Sequence, residues 1–253
     1  MQIHFTTREA ELLHAVAKAA AVLDIPAFAV GGFVRDKILN RPTKDIDIVC
    51  MGDGMELAQA FAKLFKPMPP VSLFKTFGTA QVKFQDIEIE FVGARKESYS
   101  RDSRKPQVAP GTIEDDQNRR DFTINALAVE LSDAHFGTII DPFGGLVDLE
   151  KGILKTPLAP DQTFDDDPLR MMRAIRFATQ LDFTITEATF LSIQRMANRI
   201  KIVSSTFNNE YPIIGIGSTA FKFNLNTKPE NTSYTTSSGV STIFYDTNST
   251  NNS

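Results

Sequence analysis

The sequence is poor in the residues that build disulfides and zinc sites, with one cysteine, Cys50, and three histidines among 253 residues. A single cysteine cannot form an intramolecular disulfide, and this set is too small for a structural zinc site of Cys and His ligands. The chain also lacks any run of about 18 apolar residues, and its first residues lack a basic segment followed by an apolar one. We therefore expect a cytoplasmic protein with no membrane partner.

Net positive charge is also missing, because the formal charge of the chain is −4. This value argues against a protein that coats nucleic acid, although it is compatible with a local basic surface. A length of 253 residues, of which 42% are hydrophobic, suffices for one large or two small domains with a buried core. Size permits a globular enzyme, and net charge alone leaves its partner open.

The chain does contain a regular succession of helix and strand patterns. Apolar residues recur at helical spacing from Arg8 to Leu23, and a second helix is predicted from Glu56 to Phe65. The runs AFAV, KDIDIVC, TAQVKF and IEIEFV have the pattern of strands. A later helix is predicted to begin at Pro168, with helical structure extending to about Ile202. These patterns predict an α+β fold, a small mixed β-sheet followed by helices.

Two segments depart from this pattern. The residues from Lys96 to Pro110 are polar, charged and interrupted by prolines, which predicts a mobile loop. Residues 204–253 are rich in Asn, Ser and Thr, contain no Arg and show no helical periodicity. We expect three parts: a head at 1–147, a helical neck at 148–203, and a tail at 204–253 that is non-homologous to the rest or disordered.

Two of the predicted strands carry alternating carboxylates. In KDIDIV, Asp45 and Asp47 leave the same face of a strand, and IEIEF repeats this arrangement with Glu88 and Glu90. If the two strands are neighbours, three carboxylates share one site. Hard oxygen ligands suit Mg²⁺, which proteins usually hold with one or two carboxylates plus substrate phosphates. The same alternation also fits the solvated face of a half-exposed sheet.

A glycine pair lies between the first predicted strand and a short helix. Gly31 and Gly32 precede a helix that carries Arg35 and Asp36, and backbone N–H groups at a helix start bind phosphate well. Glycine is needed where the backbone approaches a ligand closely. The alternative is an ordinary turn, with Arg35 as a surface cation.

The segment GGFVRDKILNRPTKDIDIV resembles the signature of the nucleotidyltransferase superfamily, in the form found in class II CCA-adding enzymes and bacterial poly(A) polymerases. Three later segments, in the family's order, are similar to its ribose-binding motif, its hinge and its base-recognition motif: RRDFTINALA, DPFGGLVDL and DDPLRMMRAIRF. The resemblance covers roughly residues 1–203. It implies a template-independent nucleotidyltransferase, which adds C and A from CTP and ATP to the 3′ end of tRNA.

The resemblance also implies roles for individual residues. Asp45 and Asp47 would be catalytic ligands of Mg²⁺, with Glu90 as a third carboxylate. The nucleotide would be bound by Gly31, Gly32 and Arg35 at the triphosphate, by Arg120 and Asp121 at the ribose and phosphates with support from Asn125, and by Asp167, Arg170 and Arg173 in the base-recognition motif. Without the resemblance, Arg119, Arg120 and Asp121 would be interpreted as a charged helix start.

Asp167 and Arg170 lie three residues apart at a helix start, so their side chains can project to the same side. Cytosine and adenine each offer an amino donor beside a ring-nitrogen acceptor, whereas uracil and guanine present a carbonyl beside an N–H. A carboxylate accepts from the amino group while an arginine donates to the ring nitrogen, which selects C and A. The alternative is an ordinary ion pair. Asp166 stands where the family has Glu.

The resemblance ends near residue 203. The family continues with a helix that carries an Arg and a Glu, whereas this chain continues with STFNNEYPIIG, so we expect a truncated neck. CCA-adding enzymes, enzymes that add only CC or only A, and poly(A) polymerases share every motif quoted above. An alternative of another class is a fragment that binds nucleotide or RNA without catalysis.

Overall fold

The structure is a computed structural model that describes residues 3–100 and 103–202, together with four short strands in the tail; its side chains are described at 3–97 and 108–200. The α-helices are α1 (Thr7–Val22), α2 (Gly32–Ile38), α3 (Gly54–Ala62), α4 (Ile113–Asn118), α5 (Gly145–Lys151), α6 (Pro160–Asp166), α7 (Leu169–Leu181) and α8 (Glu187–Met196), with 3₁₀ helices at Thr123–Asn125 and Ala197–Ile202. The strands are β1 (Ala27–Val30), β2 (Asp45–Cys50), β3 (Val71–Phe74), β4 (Thr79–Phe84), β5 (Ile87–Gly93), β6 (Arg95–Ser100), β7 (Ser103–Pro110), β8 (Ala128–Glu130), β9 (Ile139–Ile140), β10 (Ile153–Leu154), β11 (Thr184–Ile185), β12 (Ile213–Ile216), β13 (Thr219–Lys222), β14 (Thr232–Thr236) and β15 (Gly239–Ile243).

Seven of the described strands form one mixed sheet in the order β3-β4-β5-β2-β1-β8-β9. β2 and β5 are parallel, whereas the other neighbouring pairs of this sheet are antiparallel. A parallel pair needs a crossover connection, and the chain supplies it through α3 and the hairpin of β3 and β4. The predicted α+β fold with a small mixed sheet is confirmed.

One face of the sheet is buried beneath α1 and α3. Ile46 and Ile48 on β2 and Ile89 and Phe91 on β5 belong to this core and are almost fully buried. Because side chains alternate along a strand, the carboxylates at neighbouring positions of β2 and β5 project to the opposite face. Hydrophobic burial on one face thus fixes the direction of the acidic side chains on the other.

The opening helix is fixed by a cap and by an ion pair. Thr6 Oγ1 accepts from the Glu9 backbone N–H, and Glu9 Oε2 accepts from the Thr6 backbone N–H at 2.8 Å. This reciprocal cap explains why α1 begins at Thr7. Lys37 Nζ lies 2.7 Å from Glu9 Oε2, with both side chains largely buried, which ties α2 to α1.

The prediction that Lys96 to Pro110 forms a loop is wrong, because this segment belongs to the antiparallel hairpin of β6 and β7. Lys96 pairs with Ala109 and Glu97 with Val108, and the register shifts between Ser98 and Ser100. In a two-stranded ribbon each strand has one edge without a ladder, so a proline in β7 need not remove a hydrogen bond. For that reason the prolines and charges of this segment are compatible with strands, although they are typical of a loop. Its residues 101 and 102 lie outside the described part of the chain.

The helical structure predicted to extend to about Ile202 is present as α6, α7, α8 and the last 3₁₀ helix. The expected division at 147 falls inside α5, and the division into head, neck and tail stays a prediction. Between 204 and 253 the structure describes only β12 to β15, as two antiparallel hairpins, and the rest of the predicted tail lies outside the described residues. None of the described helices is long and apolar enough to cross a membrane.

Candidate active site

The acidic residues of β2 and β5 meet in register on the open face of the sheet. Asp45 lies opposite Glu88 and Asp47 opposite Glu90, so the condition for a shared carboxylate site is met. These side chains line a cleft of about 480 Å³, which we call the carboxylate cleft. Its charged lining residues are Asp36, Asp45, Asp47, Glu88, Glu90 and a single cation, Arg35.

Burial raises the pKa of Asp47 above its usual range, and the neighbouring Asp45 and Asp116 add to this effect while Arg120 opposes it. Desolvation also raises the pKa of Glu90, with a further contribution from Asp47. Both shifts record the cost of placing negative charges close together in a partly buried site. A bound cation relieves that cost.

The donor chemistry of this face fits a hard divalent cation, because Asp45 and Asp47 offer only carboxylate oxygens. Within the described part of the chain, no group of three acidic, histidine or cysteine side chains is arranged to hold a metal ion unaided. Proteins usually hold Mg²⁺ with one or two carboxylates together with substrate phosphates, and the pair of Asp45 and Asp47 has that number of carboxylates. The chemistry of Asp45 and Asp47 therefore fits a hard divalent cation.

Gly31 lies where the turn between β1 and α2 meets the carboxylates. Its φ of +72° belongs to the left-handed region that favours glycine. A Cβ at this position would lie 3.0 Å from Arg120 Nη1 and 3.5 Å from Asp47 Oδ2. Glycine thus lets a cation and a carboxylate approach the same turn.

A chain of hydrogen bonds connects α2 with α7 through the second motif. The Arg35 guanidinium donates to Asn125 Oδ1 at 2.7 Å and, through Nε and Nη2, to both carboxylate oxygens of Asp36 at 2.9 Å. Asn125 Nδ2 donates to Asp121 Oδ1 at 2.9 Å, and Arg173 Nε donates to Asp121 Oδ2 at 2.6 Å. Five side chains from three parts of the sequence are fixed relative to one another.

Asp121 is the buried centre of this chain, with 6% of its surface exposed. Burial opposes its ionisation, but Arg173 and the Asn125 amide outweigh it, so the pKa of Asp121 is lowered. The Phe122 backbone N–H also donates to it at 2.9 Å. From the sequence, Asp121 was expected to contact the incoming ribose and phosphates. In the structure, both of its carboxylate oxygens accept hydrogen bonds from protein groups.

Asp116 on α4 holds Arg120, a role that was not predicted for it. Its fully buried carboxylate accepts from Arg120 Nε at 2.9 Å and Nη2 at 2.7 Å, and also from Arg119. Burial alone would raise the pKa of Asp116, but the two guanidinium groups lower it. The signal was present as the spacing of four residues between Asp116 in α4 and Arg120, two residues beyond the end of that helix, which lets a carboxylate and a guanidinium meet.

A second cleft, of about 660 Å³, adjoins the first; we call it the arginine cleft. Seven arginines and four carboxylates line it, an excess of three positive charges in a chain whose net charge is −4. No role was predicted for the lining residues Arg95, Glu97, Leu169, Phe177 and Gln180. The lining includes all nine residues expected to bind nucleotide: Gly31, Gly32, Arg35, Arg120, Asp121, Asn125, Asp167, Arg170 and Arg173.

Three of these arginines surround the ring of Phe177. The guanidinium carbons of Arg35, Arg173 and Arg176 lie 5.0, 5.2 and 4.7 Å from its centroid. Such contacts hold cations over an aromatic face without consuming their hydrogen bonds. Phe177 therefore gathers positive charge beside the network of Asp121.

Arg170 and Asp167 both line the arginine cleft, as the expected base-recognition pair requires. Arg170 is buried, and its Nη1 and Nη2 donate to the backbone oxygens of Thr163 at 3.3 Å and Arg119 at 2.6 Å. Asp167 Oδ1 accepts from the Leu169 backbone N–H at 3.1 Å. A guanidinium has five N–H donors, so these two bonds leave Arg170 with donors for a ligand.

The third motif has a structural part to play. Asp141 accepts from the backbone N–H groups of Gly145 at 2.7 Å and Leu146 at 3.0 Å, which caps α5. A Cβ on Gly145 would lie 2.4 Å from the Thr123 backbone oxygen. Thr123 Oγ1 in turn donates to Asp148 at 2.6 Å. Because residue 145 is a glycine, the third motif can pack directly against the second one.

The two clefts meet at Gly32, Arg35 and Asp47, which line both of them. An acidic surface suited to a divalent cation is thus continuous with a basic surface suited to a polyanion. A nucleoside triphosphate with its metal ion carries a divalent cation next to a polyanion, so its charges complement the two adjoining surfaces.

Comparison with known proteins identifies relatives of this chain. A sequence profile that describes the poly(A) polymerase head domain matches residues 27–155, about half of the chain. Over 172 residues the chain is 40% identical to the A-adding tRNA nucleotidyltransferase of Aquifex aeolicus, covering 68% of this chain and 20% of that protein. Over 169 residues it is 39% identical to the CCA-adding enzyme of Enterococcus faecalis, covering 66% of this chain and 39% of that enzyme.

A solved structure of a tRNA nucleotidyltransferase complexed with a primer tRNA and an incoming ATP analogue has the same fold. It aligns with a TM-score of 0.64 and 34% identity, over 74% of this chain and 51% of that one. The chain therefore spans about a fifth to a half of the length of these relatives.

Proposed function

Because the chain belongs to the poly(A) polymerase head-domain family of nucleotidyltransferases, we propose that it adds C and A nucleotides from CTP and ATP to the 3′ end of tRNA. The observation that carries this proposal is the position of Asp47, which lines both the carboxylate cleft and the arginine cleft. A residue at that junction can contact the reactive phosphate of a nucleotide bound in the basic cleft.

The arginine cleft would bind the nucleotide's triphosphate. Its excess of three positive charges complements a tetra-anionic triphosphate whose charge a divalent cation partly offsets. Arg120, held by Asp116, and Arg35, held by Asp36 and Asn125, cannot swing away without breaking several bonds. Such preorganised donors cost little reorganisation as charge develops.

Members of this family are metal-dependent enzymes, and we propose Mg²⁺ as the ion for this chain. Asp45 and Asp47 would hold it, with Glu90 as the nearby third carboxylate. When bound, Mg²⁺ supplies activation of the attacking hydroxyl and charge neutralisation at the leaving group. The raised pKa of Asp47 agrees with a site that is completed by a cation.

The reaction needs no covalent enzyme intermediate. The 3′-hydroxyl of the RNA gives up its proton to the surrounding water, and its oxygen forms a bond to the α-phosphorus of the nucleotide. The bond from that phosphorus to the oxygen bridging to the β-phosphate breaks, and pyrophosphate leaves on the opposite side. Asp45 and Asp47 lie at the attacking end, and the arginines hold the departing phosphates.

Asp167 and Arg170 would choose the base. A carboxylate accepts from the amino group of cytosine or adenine, while the remaining Arg170 donors reach the ring nitrogen. Uracil and guanine would bring a carbonyl to the carboxylate and an N–H to the guanidinium, which leaves polar groups unpaired in a buried place. Both residues line the cleft that holds the triphosphate arginines.

Addition of A alone is a second candidate function. It is favoured by the 40% identity with a relative that is an A-adding enzyme. The chemistry at Asp45 and Asp47 is the same for both candidates, and they differ only in which nucleotides the cleft accepts.

Product sizing separates these candidates. The 253-residue chain is incubated with Mg²⁺ and tRNA that lacks its terminal CCA, or ends in CC, with CTP, ATP or both. Addition of two C and then one A supports the main proposal, and a single A on the CC-ending tRNA alone supports the second. Indefinite ATP tails would indicate a poly(A) polymerase. No addition, with nucleotide still bound, would reject catalysis by this chain.

A further inference from the structure

Two phenylalanines lie exposed on the turn between β3 and β4, at residues 74–78, which we call the phenylalanine turn. Phe77 is 71% exposed and Phe74 45% exposed. The Phe77 backbone N–H donates to the Phe74 backbone oxygen at 2.9 Å, and Gly78 follows with a φ of +65°. This tight turn holds the two positions close together. Neither ring belongs to any aromatic pair among the described side chains.

The register of the sheet places this turn on the face that carries the carboxylates. Phe74 pairs with Thr79 across β3 and β4, and two residues further along β4, Gln81 pairs with Glu90. Directly opposed residues and residues two apart share a face of a sheet, so Phe74 lies on the face of Glu90. Glu90 in turn lies opposite Asp47.

The turn is continuous with the candidate active site. Phe74 and Phe77 line a cleft of about 440 Å³ together with Thr79, Gln81, Glu90 and Arg95. Glu90 also lines the carboxylate cleft, and Arg95 also lines the arginine cleft. The sheet order β3-β4-β5-β2-β1 places the acidic strands between the phenylalanine turn and the glycine turn that follows β1. The exposed rings therefore lie on the side of the carboxylates away from that glycine turn.

We propose that the phenylalanine turn stacks one of the last bases of the acceptor RNA, an inference that rests on the proposed function. In-line transfer requires the attacking hydroxyl and the leaving pyrophosphate on opposite sides of the phosphorus. Arginines occupy the leaving side, so the RNA enters from the side of β3 and β4. β3 lies three strand spacings, roughly 14 Å, from β2, and the register sets Phe74 two residues, roughly 7 Å, further along the strands than Asp47. The terminal nucleotide and its neighbour span that gap.

Stacking suits this acceptor better than hydrogen-bonded recognition does. In the proposed reaction the first addition starts from the tRNA's own last base and later additions start from C, so the acceptor site must tolerate different bases. Aromatic stacking is tolerant of sequence because every base has a π-face. Exposed Lys75 at the tip of the turn brings positive charge for the phosphates beside the stacked base.

The test measures binding, so that it does not depend on catalysis. An RNA hairpin with a single-stranded 3′ tail carries 2-aminopurine at its last or next-to-last position, whose fluorescence is quenched by stacking. The full chain is titrated without nucleotide, alongside Phe77→Ala, Phe77→Leu and Phe77→Trp. Val22→Ala is the control. Val22 is 74% exposed at the end of α1, the helix that covers the face of the sheet opposite the phenylalanine turn.

Phe77→Ala and Phe77→Leu are expected to weaken RNA binding on the order of tenfold and to lose the quenching. Phe77→Trp keeps both, and Val22→Ala is unchanged. Equal behaviour of Phe77→Ala and the control would overturn the inference, as would the absence of quenching by the unaltered chain. A change in sedimentation of Phe77→Ala with RNA binding intact would overturn it in favour of a self-association surface.

Failure of this inference and failure of the proposed function are distinguishable. Nucleotide addition with RNA binding that does not depend on Phe77 rejects the inference alone. Quenching that depends on Phe77, in a chain that adds no nucleotide, rejects the proposed catalysis and leaves the stacking surface in place.

Discussion

Arg35 Nη1 donates to Asn125 Oδ1 at 2.7 Å, across 90 residues of sequence. Arg35 belongs to the helix that follows the glycine turn, and Asn125 belongs to the second motif. Because Asn125 also donates to Asp121, which Arg173 holds from α7, a single amide connects three of the four motifs. The geometry of the arginine cleft depends on this residue.

Replacing Asn125 with Ala is expected to destabilise the fold. The change leaves Arg35 and buried Asp121 each without one partner, and an unsatisfied buried polar group costs about 1–3 kcal/mol. We predict a loss of that size in the free energy of unfolding, measured by urea denaturation, with weaker nucleotide binding. The control, Asn198→Ala at an exposed position, should stay within about 0.5 kcal/mol of the unaltered chain. Equal stabilities would show that the amide is not structural.

Asp121 is expected to give the protein part of its sensitivity to acid. The pKa of Asp121 is lowered in the folded state, so the unfolded chain binds the proton more readily. The ionised carboxylate therefore stabilises the fold at a pH above the unfolded pKa of about 3.9. That contribution is lost as the pH falls through the folded pKa. Asp121→Asn should therefore show a shallower fall of unfolding free energy below about pH 4. Parallel curves for the two proteins would contradict the assignment.

Much of the fold and site followed from local patterns. Alternating Asp and Ile in β2 predicted which side chains face the core, since strand periodicity is a local property. The pairing of β2 with β5, which brings Glu90 to Asp47, stayed conditional because register between distant strands is a tertiary property. Asp116 was missed although its partner Arg120 lies only four residues away. Phe177 was missed because Arg35 reaches its ring only when α2 and α7 pack together, which is a tertiary property.

Asp47 should show the opposite pH behaviour to Asp121. The pKa of Asp47 is raised in the folded state, so the folded protein binds the proton more readily. The free energy of unfolding therefore declines as the pH rises from the unfolded pKa of Asp47 through its folded pKa. Asp47→Asn removes the buried charge, so without Mg²⁺ it is expected to be more stable than the unaltered chain at pH 7. Thermal denaturation across pH tests this difference, which should shrink below about pH 4. A variant less stable at pH 7 would contradict the account.

Substitution of Asp167 is expected to alter the choice of nucleotide. An Asn side chain both donates and accepts, so Asp167→Asn can pair with the carbonyl of uracil as well as with the amino group of cytosine. The preference for CTP over UTP, measured as a ratio of kcat/KM, should fall at least about tenfold. Asp165→Asn is the matched control, since Asp165 pairs with Arg199 and does not line the arginine cleft. Unchanged preference in Asp167→Asn would remove this residue from base selection.

The most direct measurement is transfer of an α-labelled nucleotide to the RNA 3′ end, with Mg²⁺, by the unaltered chain, Asp47→Asn and Asp86→Asn. Asp86 provides the control. It lies on the turn between β4 and β5, and its exposed carboxylate pairs with Lys44. Loss of a metal ligand removes several kcal/mol of transition-state stabilisation, so Asp47→Asn should be slower on the order of a thousandfold, with Asp86→Asn unaffected. Transfer by Asp47→Asn at the rate of the unaltered chain would contradict the central claim that the reaction occurs at the junction of the two clefts.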